Sequence, residues 1–335
     1  MFVEILLIAQ TLGLVKLGTV SLDGTKIKAN ASKHKALSWE HANRLEAQLK
    51  GEVKDLMALA EQADHQPLPE QLDIPLELQR RERRLDVIAA AKAEITARAQ
   101  ERFAHEQAEF ERKQAKRDAD EQETGRKPRG QAPTAPTPGP HAKDQVNLTD
   151  AQSRIMPSAG GGFDQAYNAQ AGVDIATYLM VEQHLTQHPN DKQEVAPALE
   201  KLGALPDALG RIEVLLADTG YHSEANLGHC ERAGIEALIP KGRETHNRPL
   251  AERCAADPAP PHDPSPAQAM EHRLRTRAGK ALYAKRKSTV ETVFGIIKQV
   301  LGFRQFLLRG LQAVQGEWAL VCIGWNLKRL FALKG

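Results

Sequence analysis

A long run of helical periodicity, residues 38–123, interrupts a chain that otherwise alternates between strand and helix patterns, and it decides the architecture. Before it, VSLDGTKIKANAS alternates apolar and polar residues as a half-buried strand does. Inside it, Leu45, Leu49, Val53, Leu56 and Ala60 recur at three- and four-residue steps. After a break around Pro67 and Pro69, Leu78, Leu85, Ile88, Ile95, Phe103 and Phe110 repeat that spacing. Charges fill the positions between, so the apolar seam is thin. This pattern predicts a helical hairpin or antiparallel coiled coil.

Beyond it, GQAPTAPTPGPHAK is Pro-rich and expected to be extended. FDQAYNAQAGVDIATYLMVEQHLTQ then reads as two strands with a turn near Asp174. NDKQEVAPALEKLGAL reads as a helix capped by Asn190 or Asp191. RIEVLLADTGYHSEANLGHCERAG is an apolar strand, a Gly turn and a helix, and IEALIPK adds a short strand. Helical patterns run from Ala267 to the end, and residues 1–17 read as a short helix that Gly18 stops. The order predicts an α/β fold with a large helical insertion. Its parts are 1–37, the start of the main domain with its first acidic strand, a hairpin at 38–125, a linker at 126–145, and the rest of the main domain at 146–335.

Bulk properties exclude several classes. The formal charge of +2 comes from 45 basic and 43 acidic residues, so any basic surface must be local. Cys230, Cys254 and Cys322 lie far apart without a CxxC pair, which argues against a disulfide scaffold or zinc knuckle and fits a reducing cytosol. MFVEILLIAQTLGLV carries Glu4 and lacks a basic leader, so it is expected to be a buried helix and not a signal or membrane span.

Three acids stand out. Glu291 lies in YAKRKSTVETVFGIIKQVLGFRQFLLRGL, with Lys287 one helical turn before it and Lys298 two turns after. Val290, Val293, Phe294 and Ile297 form an adjacent apolar stripe able to dock on a core. Asp218 follows the apolar Val214, Leu215 and Leu216, where Gly220 turns the chain toward a helix. Asp23 precedes Gly24 at the expected end of its strand. Each alone has an ordinary alternative: a solvated ion pair for Glu291, a helix cap for Asp218, an Asp-Gly turn for Asp23. Together they are the oxygen donors a divalent cation prefers, set among bases that hold a phosphate backbone.

DGTKIKANAS, ADTGYHSEANL and YAKRKSTVETVFGIIK resemble, in order, the three acidic motifs of bacterial insertion-sequence DDE transposases, in the group whose last motif combines Tyr, Arg, Glu and Lys. The resemblance covers most of the chain outside the insertion. It implies an RNase H-like mixed sheet flanked by helices, with Asp23, Asp218 and Glu291 as the catalytic and metal-binding triad for two Mg²⁺ (or Mn²⁺) ions. It further implies DNA contacts from Tyr283, Arg286 and Lys298, to which the basic residues Lys287 and Arg304 are added. Arg286 and Glu291 stand one residue farther apart than the family pattern sets them, and α-helical phase favours Lys287 as the partner of Glu291.

The implied function is metal-dependent DNA cleavage and strand transfer in transposition, on transposon-end and target DNA, in a bacterial, nucleoid-associated cytoplasmic protein with no membrane role. The hairpin is expected to be structural or dimerising, which makes a homodimer the expected assembly. Full-length relatives carry a helical DNA-binding region before the first acidic strand, and this chain is expected to lack it. The alternative is therefore a truncated remnant that binds DNA or dimerises with a full-length copy and inhibits it. A cellular RNase H-like nuclease would share the same triad. Turn or cap duty is expected for Asp164, Asp174 and Asp191, and no zinc role for His184 and His188.

Overall fold

The computed structural model describes residues 1–63, 73–158, 160–242 and 256–335. The break at Pro67 and Pro69, and Cys254, lie outside the described residues. The chain divides into two compact units, one formed by Met1–Asn30 with Gln152–Gly335 and the other by Ala31–Ala151.

The first unit is mixed α/β. Its sheet runs β4 (Arg154–Pro157), β5 (Phe163–Asp174), β1 (Thr19–Lys28), β7 (Val214–Leu216), β8 (Glu236–Leu238), with β6 (Met180–Thr186) also paired to β5. β1 is antiparallel to β5 and parallel to β7, and β7 is parallel to β8. Alternation in β1 turns Val20 and Leu22 into a core shared with Leu6 and Ala9 of α1 (Phe2–Thr11) and with Val195, Ala198 and Leu202 of α4 (Val195–Gly203). Residue 21 and its odd-numbered neighbours face the other way. On the odd-numbered face, where Tyr167 opposes Ile27, Phe306 meets the Tyr167 ring and Phe303 and Phe294 meet Trp318. Trp318, from the final helix α9 (Leu311–Lys334), is fully buried and donates its indole N–H to the Gln170 carbonyl at 3.2 Å. Removing that ring would cost roughly 3–5 kcal/mol.

Local chemistry explains where several elements stop. Helix α1 ends at Thr11, short of the expected residue 17. Gly13 takes φ +69, and its N–H bonds the Gln10 carbonyl at 2.8 Å. Asp174 makes the β5–β6 turn by accepting from the Thr177 amide and hydroxyl at 2.8 and 2.7 Å. Helix α4 starts later than expected. Its N-cap is Glu194, which makes no side-chain cap bond, so neither Asn190 nor Asp191 caps it. No helix among the described residues is long and apolar enough to cross a membrane.

In the second unit, α2 (Trp39–Ala63) and α3 (Ile74–Thr124) lie antiparallel. Glu52 meets Arg81 at 2.7 Å and Glu46 meets Lys92 at 2.5 Å, so rising numbers on one helix match falling numbers on the other. Leu49, Ile88, Ala91 and Ile95 form the seam, joined by Leu37 and Val146 from the two-stranded sheet of β2 (Ala36–Ser38) and β3 (Gln145–Asn147). Asp73 caps α3 by accepting from the Leu76 amide, and Gly125 at φ +66 closes it. Arg102 and Arg117 of α3 bond carbonyls of Gly139 and Pro128, which tethers the Pro-rich stretch.

Candidate active site

Parallel pairing of β1 with β7 sets the first two acids side by side. The last registered pair is Ser21 with Leu216, and two residues farther along each strand lie Asp23 and Asp218. β7 stops at Leu216, so Asp218 opens a 3₁₀ turn (Thr219–Tyr221) and accepts from the Gly220 amide at 2.7 Å. Asp23 is not at a strand end, and Asp-Gly is not a turn. β1 continues to Lys28 because β5 pairs it throughout, Asp23 with Ala171 and Gly24 with Gln170. The same site therefore carries one mid-strand acid beside one strand-end acid.

The third acid comes from a helix that changes its winding. Helix α7 (Arg277–Arg286) passes into a π-turn at Lys287–Glu291, then α8 (Thr292–Gly295), then a second π-turn at Ile296–Val300. In π winding the hydrogen bond runs from i to i+5 and the turn is wider, so a residue five along comes back toward the face it would miss in an α-helix. Arg286 and Glu291 are five apart, and the Arg286 Nη2 donates to Glu291 Oε1 at 2.9 Å. Its Nη1 reaches Asp23 Oδ2 at 3.4 Å. Glu291 pairs with Arg286 and not with Lys287, the partner α-helical phase favoured, and Lys287 is exposed. The stripe of Val290, Val293, Phe294 and Ile297 is buried and holds the turn in place.

Burial grades the cluster. The Arg286 side chain is 8 % exposed and Glu291 47 %, so one end of the pair is enclosed and the other opens to solvent. Tyr283 lies under Arg286, with the guanidinium carbon 5.9 Å from the ring centroid. Burial pushes the Asp23 carboxyl up to about 7; Arg286 opposes that rise, and the Asp218 and Asp191 charges add to it. Burial works against the Arg286 charge, but Asp23 and the groups around it raise its pKa overall.

The other expected contacts divide. Lys298 donates to the Lys26 carbonyl at 2.9 Å and to the Thr25 hydroxyl, so it is tied to β1 beside Asp23. Burial and then Lys26 lower its pKa. Arg304 is exposed and donates to the Lys298 carbonyl at 2.9 Å.

Asp191 is brought in from the turn before α4, where turn or cap duty was expected. Its Oδ1 accepts from Asn168 and Gln170, both at 2.7 Å, and stands 3.6 Å from the Lys26 ammonium. A Cβ on Gly24 would lie 2.6 Å from that oxygen, and one on Gly220 would lie 3.8 Å from Asp191 Oδ2 and 2.9 Å from Asp218 Oδ1. Glycine after each Asp is therefore the sequence signal that this neighbourhood is crowded. The buried Tyr221 hydroxyl completes the cluster by donating to Gln170. Asp164, by contrast, lies 3.4 Å from Lys28, away from these groups in the pairing order.

His184 and His188 form a separate network. His184 bridges Glu182 at 2.7 Å and Glu194 at 2.9 Å, and His188 meets Glu194 at 2.8 Å. Burial opposes the charge of His184, but its two carboxylate partners win and raise its pKa to about 9. Burial likewise opposes ionisation of Glu194, yet both imidazoles bring it to about 2.

Among the described residues, no three His, Cys, Asp or Glu side chains are grouped tightly enough to hold a metal ion. The side chains brought together at Asp23, Asp218 and Glu291 are carboxylates, the donor type a hard cation prefers. Asp23 and Asp218 are carboxylates that repel one another in a buried setting, and Arg286 supplies the positive charge between Asp23 and Glu291.

A family model described as a transposase DDE domain matches residues 132–327. The matched stretch contains Asp218, Arg286 and Glu291 and begins after Asp23. No curated protein and no solved structure matches the chain. With more than half of its length matched, and with acids from two adjacent strands and a helix drawn around one arginine, the chain belongs to the DDE transposase domain family.

Proposed function

We propose that the chain cuts DNA at transposon ends and joins the freed end to target DNA, using Asp23, Asp218 and Glu291 on an RNase H-like sheet. The observation that carries this reading is the shared guanidinium: Arg286 contacts Asp23 and Glu291, and Asp218 is in register beside Asp23. Separate elements thus converge on one cluster, as phosphoryl transfer between bound strands requires.

Asp23, Asp218 and Glu291 would hold divalent Mg²⁺ or Mn²⁺, two ions in the family's manner, and the metal would supply Lewis-acid stabilisation of the attacking and leaving oxygens. The chain's own residues do the rest. Arg286 keeps Asp23 and Glu291 from drifting apart and balances their charge. Lys298 ties the last helix region to β1, which keeps Glu291 facing the two strand acids. Tyr283, Lys287 and Arg304 extend the cationic and aromatic surface that positions a DNA backbone without reading its bases.

The test is a cleavage assay on a donor carrying the element's own ends, with magnesium. Asp218→Ala should remove strand cleavage by about a thousandfold, several kcal/mol of transition-state stabilisation, while DNA binding persists. Cleavage that survives this change sinks the triad assignment.

A further inference from the structure

The second unit holds a groove of about 460 Å³, within the roughly 300–1,000 Å³ range of ligand-holding clefts. Its charged lining is one-sided: Lys35 and Arg84 contribute to it beside His34 and His41, and no carboxylate does. On the same hairpin, Arg80, Arg81, Lys92, Arg98 and Arg102 are each tied to an acid. Lys35 and Arg84 form no such ion pair among the described residues, although Arg84 lies within electrostatic reach of Glu52. Between these cations lie Val87 and Leu148, exposed by 49 % and 42 %.

The backbone that carries these cations is ordered. Lys35 ends a 3₁₀ turn (Lys33–Lys35) at the entry to β2, and its carbonyl accepts from the Leu148 amide at 2.9 Å. Arg84 stands on α3, next in sequence to the seam residue Leu85. Such a surface pairs positive charge with apolar side chains. Protein-binding surfaces are depleted in lysine at their centres, whereas nucleic-acid interfaces are strongly positive, with apolar side chains meeting base edges.

We propose that this groove is a second DNA-contact surface, in which Lys35 and Arg84 take backbone phosphates and Val87 and Leu148 take the face or edge of a base. It rests on the reading that the chain acts on DNA, and adds a contact made by the other unit of the chain.

The experiment uses the full chain and two fluorescent probes of one sequence, a duplex and a single strand, with anisotropy followed over a range of salt. Lys35→Glu combined with Arg84→Glu should weaken binding about tenfold or more and lower the log–log salt slope by about 2. Both side chains are exposed, so the melting curve should not change. A second variant, Lys35→Gln with Arg84→Gln, should lose about half of that effect. Loss confined to one probe identifies which DNA form lies in the groove and supports the inference equally. Undiminished binding of both probes by the charge-reversed chain overturns it. So does a change in self-association alone, which would assign the groove to a second copy. A native chain that binds neither probe would instead remove the DNA reading itself, and this inference with it.

Discussion

Arg286 and Arg81 are each held by two carboxylates, yet their surroundings turn the same pairing to opposite effect. Arg81 meets Glu52 and Glu77 on the flank of the hairpin, where water reaches all three. The Glu77 carboxyl is held below its ordinary range by Arg81 and then Arg80, and that of Glu52 by Gln48 and then Arg81. Arg286 meets Asp23 and Glu291 at the sheet, and there burial overrides the arginine and raises Asp23 to about 7. Counting ion pairs therefore says little. The desolvation of the partners decides whether a pair is a solvated ornament of a helix or a cluster in which a buried carboxyl resists ionisation.

The largest break in that contrast is predicted at Arg286. Arg286→Ala leaves Asp23 buried beside Asp218 without its counter-charge, and denaturant unfolding should show a loss of about 4 kcal/mol. Arg286→Lys should recover little of it, because one ammonium cannot span two carboxylates as the guanidinium fork does. Full stability in the alanine variant would mean that the cluster is not under charge stress.

Next comes the seam that holds the hairpin, as opposed to the ion pairs along it. Ile88→Ala should cost about 3 kcal/mol by the same measurement, since Ile88 is nearly inaccessible between Leu49 and Ala91.

A smaller effect should follow pH. The folded state holds the His184 proton more tightly than the unfolded chain, with a pKa of about 9 against 6.5. That stabilisation is complete below pH 6.5 and is lost as pH rises through 9. Thermal melts across this window should show the decline, and His184→Gln should flatten it. An undiminished decline in that variant would assign the titration elsewhere. The smallest effect is expected at Arg81→Ala, whose melting midpoint should match the native chain. A clear drop there would erase the distinction between the two arginines.

Much of this architecture was legible because its causes are local. Asp174 writes its own turn by bonding Thr177, and Val214–Leu216 followed by Asp218 and Gly220 spells strand, turn and helix. The stripe of Val290, Val293, Phe294 and Ile297 announced a buried face. Other features depend on distant partners. Asp23 sits mid-strand because β5, far along the chain, pairs β1 past the Asp-Gly step. The Arg286–Glu291 contact follows from a π-turn, and no 3.6-residue period encodes one. Asp191 could be read only as a turn residue, because its neighbours Asn168 and Gln170 face it from β5.

Asp23, Asp218 and Glu291 are proposed to act as one cation-holding site. The direct measurement is manganese binding by the DNA-bound chain, followed by electron paramagnetic resonance, for the native protein and for Asp23→Asn, Asp218→Asn and Glu291→Gln. The native chain should bind Mn²⁺, and each single change should weaken binding about tenfold or more, one lost charged ligand at a time. Native-like Mn²⁺ affinity in any one of the three variants would contradict it.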